Sequence, residues 1–100
     1  MVNGQQIAQQ REAQRLETSL RRIEEAGEAL CRSIETFNYV MHIWRETDVP
    51  NMSAVSMMRL GKETDATFNE VIKLSHAYGE AMANLLIVTV GSTGSKGVTP

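Results

Sequence analysis

From Ala13 to Trp44 apolar residues return at alternating steps of three and four without a slip. No other feature constrains the fold as much. One row is Leu16, Ile23, Leu30, Phe37 and Trp44; the other is Ala13, Leu20, Gly27, Ile34 and Met41, interrupted only by Gly27. In heptad terms these are the d and a rows. A period of 3.5 held over such a length belongs to a helix packed on other helices, whereas a strand would alternate every second residue. The chain between Arg11 and Glu46 has no proline, and much of its filler is Glu, Arg, Gln and Ala, all good helix formers. Glu17 with Arg21 and Glu28 with Arg32 are i,i+4 pairs in the favoured order, worth a few tenths of a kcal/mol each. The pattern predicts a first helix over residues 11–45, with residues 1–10, polar and glutamine-rich, as a flexible N-terminal segment.

The one clear break is Glu46-Thr47-Asp48-Val49-Pro50-Asn51. Proline cannot continue a helix and pushes the residue before it toward extended geometry. A turn is therefore expected over 46–52, with Asn51 or Ser53 capping the next helix. So short a connection between two helical patterns implies an antiparallel hairpin.

Residues 53–90 are less regular. A heptad is traceable through Met57, Phe68, Val71, Ser75, Tyr78, Met82 and Leu85, with Gly61 and Thr64 in the gap. Gly61 suits the position just past a helix end, and Thr64 or Asp65 suits an N-cap. Two readings stay open: a short middle helix before a longer one, or one helix continuing with a kink near Gly61. Beyond Phe68 the apolar surface is wide, with Val71, Ile72, Leu74, Tyr78, Ala81, Met82, Leu85 and Leu86 sharing it. A helix apolar over so much of its circumference is touched from more than one side. Residues 91–100, rich in Gly and Ser, have linker composition and are expected to be a disordered tail.

The expected fold is thus all-α: a single antiparallel helical hairpin over residues 11–90, two-helix or three-helix, assembling as a homo-oligomeric bundle. Its core and oligomer seam is expected to use Leu16, Leu20, Ile23, Leu30, Ile34, Phe37, Met41 and Trp44 from the first half. From the second half it draws on Phe68, Val71, Ile72, Tyr78, Met82 and Leu85.

Several chemistries lack their residues. The Gly91-Ser92-Thr93-Gly94-Ser95-Lys96-Gly97 run lacks the Gly-Lys-Ser/Thr spacing of a phosphate loop and a helix after it. His42 and His76 have no Cys, His or Asp at i±4, so no zinc site is written. Glu24 and Glu28 share a helix face but have no Glu-x-x-His partner for a bundle-core metal site. No serine lies in a Gly-x-Ser-x-Gly turn. Cys31 sits mid-helix without a histidine beside it and reads as a small buried filler rather than a nucleophile. No catalytic residue, metal or cofactor is expected.

Net charge is −2, from 10 basic and 12 acidic residues. The arginines at 11, 15, 21, 22 and 32 are interleaved with Glu12, Glu17, Glu25 and Glu28, which is a mixed solvent face and argues against nucleic acid as partner. The Leu85–Val90 run is far too short to insert in a bilayer. A single cysteine precludes an internal disulfide. With a polar N-terminus, this gives a cytoplasmic expectation.

In length, in helical-hairpin outline and in a tryptophan just before the central turn, the chain resembles the small secreted WXG100 proteins. The family's Trp-x-Gly is Trp44-Arg45-Glu46 here, and Met82 stands where an acid would come four residues after Tyr78. No activity is carried across on that outline. The expected function is non-enzymatic: a homo-oligomeric bundle acting as a protein-binding, adaptor or inhibitor module, with itself and another protein as partners. One alternative is a bundle that sequesters a small ligand such as a nucleotide, with Tyr39, Trp44 and Tyr78 stacking on it. Another is a small secreted hairpin.

Overall fold

The computed structural model describes residues 4–97, with side-chain surroundings for residues 4–90. It is all-helical over that range. Helix α1 runs Gly4–Glu46, a single 3-10 turn covers Val49–Asn51, and helix α2 runs Ala54–Gly97. The helices return on one another as an antiparallel hairpin. Trp44 meets Thr64 near the turn, Phe37 meets Phe68 further along, and Gly27 meets Tyr78 further still.

The turn is built as its sequence suggests. Pro50 lies inside the 3-10 segment, where its missing N–H costs little. Thr47 closes α1 by donating its hydroxyl to the Ile43 carbonyl at 2.6 Å. Asn51 donates to the Asp48 carboxylate at 2.6 Å. Of the two N-cap candidates the cap is Ser53: its Oγ accepts from the Ser56 backbone N–H at 3.1 Å. That bond satisfies one of the unpaired donors every helix N-terminus carries.

Three expectations about helix extent change. Residues 4–10 belong to α1 rather than to a flexible segment, consistent with the helix propensity of their glutamines and alanine. Residues 1–3 lie outside the described residues. The three-helix alternative gives way to one helix continuous through Gly61. Gly61 does not take the positive φ of a helix end, and a Cβ there would meet nothing, so it admits no close neighbour either. The backbone of 91–97 continues α2 instead of forming a disordered tail, since no proline intervenes before Pro100. Residues 98–100 lie outside the described range.

Two helices of this length make one thin layer. The radius of gyration is 22.1 Å, against about 13 Å for a compact domain of 100 residues. Among the described residues the buried apolar side chains are Val40, at 2 % exposure, and Leu60, at 7 %. Both lie toward the turn.

Candidate interaction face

The contact between the helices falls on the d row and its other neighbour, rather than on the a and d rows together. On α1 the covered positions are the d row, Ile23, Leu30, Phe37 and Trp44, and the row before it in the helical wheel, Ser19, Ala26, Ser33, Val40 and Thr47. Ser19, Ser33 and Val40 are the most buried residues of α1. On α2 the covered rows are Thr64, Val71, Tyr78 and Leu85 together with Leu60, Thr67, Leu74, Ala81 and Val88. Both pairs of rows keep the 3.5 period, and on α2 it runs through Gly61 unbroken.

Small side chains explain the choice. A row of Ser, Ala and Ser lets the helix axes approach closely, and the hydroxyls need no partner across the contact. Ser33 donates to the Leu30 carbonyl of its own helix at 2.7 Å. Thr64 donates to the Leu60 carbonyl at 2.7 Å and accepts from the Trp44 indole N–H at 2.7 Å. Thr67 donates to the Thr64 carbonyl at 2.9 Å. No buried side-chain nitrogen or oxygen among the described residues lacks a hydrogen-bond partner, as interiors require.

The heavier apolar row is thereby turned outward. Leu20 is 46 % exposed and Ile34 40 %, while on α2 Phe68 is 49 %, Ile72 40 % and Leu86 60 % exposed. These residues share one side of the hairpin. Phe37 on the d row reaches Phe68, with ring centroids 5.7 Å apart and planes at 44°. On the same side Tyr78 lies against Gly27, 3.6 Å from where a Cβ would stand. An open groove of about 510 Å³ there is lined by Ile23, Gly27, Cys31 and Tyr78 with charged residues at its rim. The opposite side carries a groove of about 290 Å³ lined by small and polar residues, Ser33, Thr36, Ala66, Thr67 and Glu70. The hairpin thus has an apolar side and a polar one.

The seam residues expected from periodicity therefore divide. Ile23, Leu30, Phe37, Trp44, Val71, Tyr78 and Leu85 lie on the rows that join the helices. Leu20, Ile34, Phe68 and Ile72 lie on the apolar side facing outward, with Met41 and Met82 half-covered beside them. Leu16 is 41 % exposed although it continues the d row. Periodicity missed the covered row Ser19, Ala26, Ser33, Val40 and Thr47. Its signal was present, as small residues recurring every seven positions beside a large-residue seam.

Cys31 is exposed, which corrects the expectation of a buried filler. It occupies the row beyond the outward-turned a row, at the rim of the groove. Only Glu17–Arg21 of the two expected ion pairs is among the salt bridges found, at 3.3 Å and exposed. Tyr39, Trp44 and Tyr78 are not brought together. Tyr39 is 65 % exposed, while Trp44 and Tyr78 are held at separate levels of the hairpin by Thr64 and Gly27. Among the described residues no cluster of three or more His, Cys, Asp or Glu is placed to hold a metal. No helix there is long and apolar enough to cross a membrane. A scan against protein-family models, a search of curated proteins and a search of solved structures each found no match to the chain.

Proposed function

We propose that this protein acts without catalysis, as a self-associating helical hairpin whose assembled bundle binds another protein. The observation that carries the reading is the outward-turned apolar side. Leu20, Ile34, Phe68, Ile72 and Leu86 are each 40–60 % exposed and lie on one side of a hairpin with little core of its own. Covering each would contribute on the order of 1 kcal/mol. A contiguous apolar patch on a folded chain of this kind marks an interaction surface. Two hairpins meeting on such sides make a four-helix bundle. The polar side, with the mixed charges of α1, remains available to a different protein.

Size-exclusion chromatography with light scattering tests the first part. The expected result at micromolar concentration is an assembly of at least two chains. A well-folded monomer under those conditions removes the main support for the reading.

A further inference from the structure

The apolar side is self-complementary about one level of the hairpin. We infer that a second copy of this chain covers it, related by a two-fold axis perpendicular to the helices and passing at the level of Cys31 and Ser75. This rests on the reading that the protein self-associates, and specifies the face, the symmetry and the pairing.

On α1, an antiparallel second α1 centred at Cys31 brings Ile34 to within one residue of the level of the partner's Gly27 and Leu20 to within one residue of the level of the partner's Met41. Each large side chain of the a row thus faces a gap or a flexible methionine. In the next row out, Glu17 faces the partner's Arg45, Glu24 faces the partner's Asn38, and Cys31 faces the partner's Cys31. Within that row opposite charges meet at both ends and like charges do not meet.

Helix α2 gives the same answer from different residues. An antiparallel copy centred at Ser75 sets Phe68 against the partner's Met82 and brings Ile72 to within one residue of the level of the partner's Gly79. A Cβ on Gly79 would meet nothing within its own chain, so the space beside it is open. The two centres come from separate residues, yet they lie within one residue of the same height. Gly27 beside Tyr78 and Phe37 beside Phe68 fix the register of the hairpin, and that register places Cys31 level with Leu74, one residue from Ser75. A single two-fold axis therefore satisfies both helices at once.

The groove beside Tyr78 and Gly27 is then the socket that receives the partner's Ile34. The face from Glu17 to Arg45 is about 42 Å long and about two helix diameters, ~20 Å, wide. That is roughly 800 Å² per copy, the size of a standard specific interface. The axis also decides which helices touch: α1 packs on the partner's α1 and α2 on the partner's α2, with the two turns at opposite ends.

Light scattering and spin-label distances on the full chain test this together. Cys31 is the only cysteine, so a nitroxide placed there, or copper-phenanthroline oxidation, reads the axis directly. The expected results are a disulfide-linked dimer at Cys31 and labels on Cys31 within about 20 Å of each other. A label at Glu46→Cys in a Cys31→Ser chain, on the outward face by the turn, is expected about 45 Å from its copy. A dimer whose Glu46→Cys labels lie under about 30 Å apart has its turns together, and overturns the inference while leaving self-association standing. A dimer that resists linkage at Cys31 while its labels there lie far apart overturns it too. A monomer removes both.

Discussion

Trp44 illustrates how a single residue joins sequence pattern to structure. It ends the d row, and its indole N–H is satisfied by Thr64 across the hairpin at 2.7 Å. Replacing Thr64 by valine keeps the shape and removes the acceptor. We expect a loss of about 1–2 kcal/mol, the cost of leaving a partly buried donor unpaired, seen as a lower urea midpoint with unchanged slope. Gly27 predicts the opposite sign within one chain. A Cβ there would stand 3.6 Å from the Tyr78 ring, an ordinary contact. Gly27→Ala should stabilise the helix by up to about 1 kcal/mol through propensity. The same methyl would fill the socket proposed for the partner's Ile34, so self-association should weaken while the hairpin's own stability rises. Sedimentation and denaturation measured on the same sample would display the two effects together.

At the scale of the element, α1 presents rows with different duties. Periodicity assigns Ile34 and Phe37 to one seam and would predict one consequence for both. The structure separates them. Phe37 is half-buried and meets Phe68 across the hairpin with its ring tilted, whereas Ile34 is 40 % exposed beyond the contact. Phe37→Asp should therefore weaken the helix-to-helix contact itself and lower helicity by circular dichroism. Ile34→Asp should abolish assembly while leaving more of the isolated hairpin's helicity. Equal loss of both properties in the two variants would show that the rows share one role. At the start of α2, Ser53→Ala removes the bond to the Ser56 N–H and should cost about 1 kcal/mol. Thermal denaturation would register this, and Ser53→Asp should restore most of it.

For the molecule as a whole, thinness is the governing fact. A radius of gyration of 22.1 Å and buried apolar side chains confined to Val40 and Leu60 among the described residues leave the ordering entropy of two long helices poorly offset. Association on the proposed face would supply the missing burial. Stability should accordingly be linked to protein concentration by mass action. The melting temperature is expected to rise over a hundredfold increase in concentration, and a melting temperature independent of concentration would contradict that coupling.

Much of this fold was legible in the residues alone. The 3.5 period from Ala13 to Trp44 made a long helix necessary, Pro50 placed the turn, and the brevity of the connection made the hairpin antiparallel. These are consequences of local rules, in which spacing sets the period and proline breaks it. The azimuth at which the two helices meet was not legible and emerged only from their packing. A heptad pattern identifies an apolar stripe but not which edge of it the nearest helix takes. That depends on how closely two particular surfaces approach, and here Ser19, Ala26 and Ser33 on one helix and Thr67 and Ala81 on the other allow the tighter fit. Choosing the small row for the hairpin leaves Leu20, Ile34, Phe68 and Ile72 facing outward. Helix continuity through Gly61 was likewise visible only in the structure, where no glycine among the described residues takes the positive φ that would end a helix.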